Sequence, residues 1–568
     1  MSFFSTRRPH RASAHRQSPT RWALPIALAA SLLSTSCSDE RAPVEQMSTA
    51  SALPLAQDPR LAYLLSPGTR HEHYDVDASN TLGILTETLE RGHRDPLRRA
   101  REELARRGSE GIAVARRTID AHFESPDGGA HLRNALEIVQ RSDEPAAREL
   151  CLRLLRHRDV GLAALAAAAL EKHGEPQDYE ILMACFDAAD PEFKLRFLMA
   201  AAKLDPVRAQ RQILDWIDRG ELDGIWDECG SLLALATAPD VVGRLSPHWP
   251  AMPPRFKGLL AAPCARAGDA EALAFLRDDA QSAEQWRAES AVTALQLAEL
   301  YGELDEVARR GKVPSARLRA LNALAAPGVA ARFSEAFRSN LNATDDGLAN
   351  AALAVLVRLR DPSAISRALA LVSGQDNEGL RTAMSALREP MREDPELARR
   401  VLAALEERRA PESGMGIAEQ MRTLQAIGQV PLEEAARKLV ERARTATGEV
   451  SGMSARRWLF QQASNAGPAG QLVLAAELER ADDELERLDL IEAISAWGGP
   501  VGLDVLARFV ESERARPYEI LLAAERLVRL GTVEQVAPLL KRVTLRVTQP
   551  DVRVALQALL WLNYPGPR

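Results

Sequence analysis

Cysteine is scarce. The chain holds five in 568 residues, and after Cys37 they stand at Cys151, Cys185, Cys229 and Cys264, with no CxxC or CxxCH spacing. That excludes the usual zinc-ribbon and c-type haem attachments. The gaps of 34, 44 and 35 put each of the last four in a separate apolar stretch, so buried free thiols are expected rather than disulfides. Aromatics are only 5% of the residues, and lysine occurs seven times against 65 arginines. Histidine stops at His248, leaving the C-terminal half without an imidazole. No local Ser/His/Asp or Cys/His arrangement is visible. A net charge of −7, with Arg interleaved among Asp and Glu, argues against binding a nucleic-acid backbone. The apolar run Trp22 to Leu33 is twelve residues long. As a helix it rises about 18 Å, short of the ~30 Å core of a bilayer.

What is present begins with an address. Arg7, Arg8, Arg11, Arg16 and Arg21 precede that apolar run, and Ser34-Thr35-Ser36-Cys37 follows it. A basic segment, a short greasy core and small residues are the parts of a secretory signal peptide. The end resembles a bacterial lipobox, in which cleavage leaves an acylated cysteine; Ser34 stands where that motif usually has Leu. The resemblance implies a signal peptide over 1–36, a lipid anchor on Cys37 and a place in the bacterial cell envelope. A plain signal-peptidase cut after Ser36 would leave a soluble secreted or periplasmic protein instead. Residues 37–94 read as a polar leash and leader, with His71, Glu72, His73, Asp75 and Asp77 taken as a solvated string rather than a metal site.

Beyond the leader, Ala, Leu, Arg and Glu dominate, all good helix formers. Glycines that close apolar helical runs recur at Gly174, Gly268, Gly302, Gly328, Gly428, Gly467, Gly499 and Gly531, at intervals near 32 residues or about three times that. Glycine there is expected to take the left-handed conformation past a helix end. Asp190-Pro191, Asp205-Pro206, Asp361-Pro362 and Asp394-Pro395 mark helix starts. Each unit holds two stretches of helical period. Tyr179, Leu182, Met183 and Phe186 precede Phe193, Phe197, Ala200, Ala201 and Leu204; far downstream come Leu503, Leu506, Ala507 and Val510, then Ile520, Ala523, Ala524, Leu527 and Val528. A short helix pair with one apolar stripe per helix cannot bury it alone, but stacked pairs can.

Asp159-Val160-Gly161 followed by Ala164, Leu165, Ala167 and Gly174, Ala316-Arg317 with Ala320, Leu321, Ala323 and Leu324, and Pro550-Asp551-Val552-Arg553 resemble the HEAT-repeat family, particularly its short bacterial form related to phycobilisome-lyase repeats. The resemblance implies an all-α fold: an α-α superhelix of about 13–15 helical hairpins over 95–565, irregular near 206–256. It also implies that Arg317 and Arg553 pair with a neighbouring Asp. It names no activity, since such arrays host many roles.

Regularity fails at 245–256, and at 410–416 and 444–455, where Gly, Ser, Thr and Pro accumulate between the helices of their units; loops inserted there project from one edge. Trp216, Trp226, Trp249 and Trp286 cluster in the irregular third, as core fillers or as anchors for a partner. Leu559, Leu560, Trp561, Leu562 and Tyr564 are greasy for a terminal repeat, which should present a polar outer face. With no catalytic, cofactor or metal residue to assign, the sequence points to a non-catalytic envelope scaffold that binds a protein or peptide. An enzyme, or a glycan or small-ligand binder with a groove site around 206–290, is the alternative.

Overall fold

The computed structural model describes residues 74–565, apart from 93, 221–225, 253, 409–416 and 451. All belong to one compact unit, Leu55–Arg568. They form thirty α-helices numbered in chain order, from α1 (Thr81–Arg91) to α30 (Pro550–Asn563). The only described strands are a two-residue hairpin, Glu449–Val450 with Met453–Ser454.

The helices pair as the stripes require. In α7 (Tyr179–Ala188), Tyr179, Leu182 and Phe186 are buried; in its partner α8 (Pro191–Leu204), so are Phe197, Ala200 and Ala201. The same holds for α27 (Pro500–Glu511), which buries Leu506 and Val510, and α28 (Pro517–Leu530), which buries Ile520, Ala523, Ala524, Leu527 and Val528. Second helices stack on second helices: α4 (Gly129–Arg141) on α6 (Val160–His173), α6 on α8, and α24 (Ala455–Ser464) on α26 (Glu484–Trp497), which in turn packs on α28. The row is irregular where α9 (Pro206–Arg219) lies between α8 and α10 (Trp226–Ala234), inside the stretch of broken pattern. The architecture is that of a helical-repeat solenoid, and one buried apolar cluster runs from Val76 to Tyr564.

The start signals work as expected at most sites. Asp205, Asp361 and Asp394 each accept main-chain N–H groups of the following turn, whereas Asp190 makes no such bond. The glycines differ. Gly467 does adopt a positive φ of 72°. Gly174 and Gly531 have negative φ, and what they supply is room: a Cβ on Gly531 would lie 2.4 Å from Val536 Cγ2. Gly302 lies in the first turn of α15 (Tyr301–Arg310) with open space around it, so it closes no helix.

Arginines lace successive units together. Arg101–Glu137, Arg148–Asp178, Arg211–Asp240, Arg444–Glu477 and Arg487–Glu519 bond at 2.7–2.8 Å, each across 29–36 residues, the length of one repeat. Arg317 and Arg553 are not part of this ladder. Arg317 reaches Asn340 Oδ1 and the Ala308 carbonyl, and Arg553 the Val547 carbonyl. Both satisfy groups left over at helix ends, where a carbonyl serves as well as a carboxylate.

The array also closes on itself. α1 packs on α29 (Val533–Arg546). From α2 (Arg94–Arg106), Arg99 donates to the Val528 carbonyl and, at 2.8 Å, to Asn563 Oδ1; Glu103 accepts the Val533 N–H at 3.2 Å. Arg107 pairs with Glu534, and Lys541 with Asp75 at 2.9 Å. The greasy C-terminal run is explained in part, since Trp561 stays 43% exposed and Leu562 half-buried. Leu559, Leu560 and Tyr564 are buried, and Tyr564 lines the contact with Leu85, Arg99 and Glu103 at the other end of the chain. An open array needs polar end caps; here each end caps the other.

Candidate functional site

A groove lies among the helices that flank the two insertions in the sequence. α21 (Pro395–Glu407) leads into 409–416, α22 (Ile417–Gly428) follows, and α23 (Glu433–Thr445) leads into the small hairpin. Between them opens a groove of about 600 Å³, in the size range of ligand pockets. Its floor is apolar, formed by Leu405, Leu424, Ile427 and Leu439. Its rim is polar: Glu406, Gln420, Thr423, Lys438, Glu441, Arg442 and Thr445. Lys438 bridges the rim to Glu406 and, at 3.2 Å, to Glu434. α22 is held against α24 by close approach, because a Cβ on Gly428 would lie 2.4 Å from the Gln462 carbonyl oxygen.

Arg408 closes one end. Its guanidinium is buried among main-chain carbonyls, bonding Gln375 O at 3.0 Å, Asn377 Oδ1 at 3.0 Å and Gly374 O. Among the described residues no carboxylate lies at bonding distance, and burial pushes its pKa below the ordinary value. Its buried Nε has no hydrogen-bond partner among the described residues. Sequence reading flagged the two loops and missed the groove, because the walls come from three helices whose spacing only packing sets.

The tryptophans are dispersed in role. Trp216 is half-buried and stacks on Phe186 with ring centroids 5.4 Å apart; Trp249 is buried, 5.6 Å from Phe275. Trp286, at 54% exposure, faces solvent. Trp226 opens α10, and its side chain lies outside the described residues, as do Cys37, His71, Glu72 and His73. Asp75 is taken by Lys541, and Asp77 accepts from Ser79.

Among the described residues, Asp215, Asp218 and Asp240 of the 206–290 stretch are engaged by arginine. Arg244 holds Asp215 and Asp218 at 2.8 and 2.7 Å, and Arg211 holds Asp240 at 2.8 Å. Those bonds lower the pKa of Asp218 and Asp240, the wrong direction for a general acid. The four later cysteines form no disulfide among the described residues, and burial pushes Cys151 up to about 12, which makes it inert.

A cluster that the sequence did not announce sits near the start of the array. Glu90 on α1, His122 at the end of α3 (Ser109–His122) and His131 on α4 bring three donor atoms within 4.8 Å of one another. Among the described residues, no helix is long and apolar enough to cross a membrane.

No protein-family model matches the chain, and no curated protein matches it. Solved structures similar to it are of low identity. A chain of the Kap95p–RanGDP structure is 11% identical, with 86% of this chain and 74% of that one covered and a TM-score of 0.30. Importin beta in ammonium sulfate is 11% identical, covering 86% and 63%, at 0.21. A chain from a structure of cadherin and beta-catenin is 13% identical, covering 84% and 99%, at 0.20.

Proposed function

We propose that this protein is a binding scaffold, and that the groove between α21, α22 and α23 receives a peptide segment of a protein partner. The observation that carries this reading is the groove itself: an apolar floor of Leu405, Leu424, Ile427 and Leu439 under a rim of mixed charge. An apolar floor anchors two or three side chains of a segment, while rim groups bond its backbone and set its direction. Photocrosslinking from position 420, with a photoreactive residue replacing the exposed Gln420, tests it in envelope extracts. Expected is a discrete crosslinked species that an excess of unlabelled protein competes away; a folded scaffold that labels nothing above a position 286 control overturns it.

The signal-like N-terminus and Cys37 support an envelope location with a lipid anchor. Two or more acyl chains, each buried methylene contributing about 0.8 kcal/mol, suffice for stable attachment. Cys37→Ala should then move the protein from the membrane to the soluble envelope fraction; retention in the membrane would disprove the anchor.

One observation favours a second reading, the exposed indole of Trp286, which offers a face on which a saccharide could stack. Quenching of tryptophan fluorescence by cell-wall glycans, abolished in Trp286→Ala, would support it.

A further inference from the structure

We propose that Glu90, His122 and His131 form a binding site for a divalent transition-metal ion, of which Zn²⁺ is the best fit. The inference is independent of the groove. His122 Nε2 lies 3.2 Å and His131 Nδ1 3.1 Å from the same oxygen, Glu90 Oε2. Donors on one zinc ion, each about 2.0–2.2 Å from the metal, stand about 2.9–3.4 Å apart, depending on the angle between them. The two observed separations therefore match edges of a coordination polyhedron, with one ring still to be reoriented.

Hydrogen bonding alone accounts poorly for the arrangement. Among the described residues, His131 Nδ1 is buried and forms no properly directed bond, despite its distance from the carboxylate. The two imidazoles lie face to face, centroids 4.1 Å apart and planes 9° apart. Two imidazoles and one carboxylate suit zinc and its neighbours in the first transition row, and do not suit calcium or magnesium. Because the rings are parallel, one must turn about its Cβ–Cγ bond to aim its nitrogen at the ion.

The surroundings support the donors. Thr118 Oγ1 approaches Glu90 Oε1 at 3.5 Å, placing a hydroxyl where it can steady the carboxylate. The loop joining the two histidines is tight: a Cβ on Gly128 would lie 2.3 Å from the His122 carbonyl oxygen. The ligands come from three helices, and α1 also packs on α29. A bound ion thus ties the closing helix to the first repeats. Three protein ligands leave a fourth position for water or a partner's side chain, the composition of an open site.

The test uses the full chain, stripped with chelator and titrated with Co²⁺ as a spectroscopic probe, then with Zn²⁺ in competition. Expected is one Co²⁺ per chain with visible ligand-field absorption, displaced by Zn²⁺, and slower hydrogen exchange in α1 when metal is bound. Glu90→Gln, His122→Ala and His131→Gln should each weaken binding by more than the roughly 10–100-fold typical of losing a mere supporting partner, while far-UV circular dichroism shows that the fold persists. His71→Ala with His73→Ala should change nothing, which separates this site from the leader string. Absence of binding by the folded chain overturns the proposal. So does binding that survives loss of all three donors, or that disappears with His71 and His73.

Discussion

The phenolic hydroxyl of Tyr74 donates to the main-chain carbonyl of Tyr564, 490 residues further along the chain. Around that bond, the first two helices and the last three share one buried seam. The buried phenol of Tyr564 has its pKa raised by desolvation, and burial likewise raises Glu103.

Breaking the seam should loosen the two ends and leave the middle intact. Arg99→Met removes the donor to Val528 O and Asn563 Oδ1, leaving acceptors short of partners at about 1–3 kcal/mol. Hydrogen exchange should accelerate in α1, α2 and α28–α30 and stay unchanged in α18 (Asp346–Arg358). Uniform acceleration along the whole array would contradict the picture. Exchange is the suitable readout because long arrays need not unfold in two states.

The ladder's deepest rung should be its most sensitive. Arg487 and Glu519 bond at 2.8 Å, with side chains 6% and 0% exposed. Glu519→Ala strands a buried guanidinium and should cost about 3–5 kcal/mol. The double change Arg487→Met, Glu519→Leu should cost clearly less than the two single changes added together. Chemical denaturation of the four proteins measures the difference.

Acid should weaken the rung at Asp178. Two hydrogen bonds from Arg148 hold its carboxyl below the usual range. A lowered folded value means stability that is complete above the ordinary aspartate range and lost as pH falls through the folded one. Asp178→Asn should therefore cost about 1–3 kcal/mol at neutral pH and progressively less below about pH 4. A gap between the two proteins that is the same at every pH would rule this out. Glu103 carries the opposite sign: its raised value makes its ionised form the costly one, so its contribution grows as pH falls.

Blocking the groove should abolish partner binding without unfolding. Thr423, half-buried on the rim, can be enlarged to Trp at little cost to the floor beneath. Expected is at least a tenfold loss of crosslinked partner with unchanged circular dichroism. Gly428→Ala acts differently, pressing a methyl on the Gln462 carbonyl and costing about 1–3 kcal/mol as α22 shifts.

Periodicity made the hairpins legible. The stripes of α7, α8, α27 and α28 are as spaced in the sequence, because side chains three and four apart share a helix face wherever the helix sits. Asp-Pro starts were legible for the same local reason. Gly302 was misread because a glycine beside an apolar run looks alike at either end of a helix. The seam left one trace, the apolar Tyr564, whose cover of Tyr74, Leu85, Arg99 and Glu103 lies more than 450 residues upstream and has no local signature. Glu90, His122 and His131 were illegible too: nine residues separate the histidines, but the carboxylate enters only through packing of α1.

Closure also fixes a count. An open solenoid tolerates the gain or loss of a repeat, since either merely lengthens or shortens the stack. In this chain an added or deleted pair would move Tyr74 and Arg99 away from Tyr564 and Asn563, exposing oily surface at both ends. Duplication, the ordinary way repeat proteins change in length, is therefore barred here unless the curvature of every other unit changes with it.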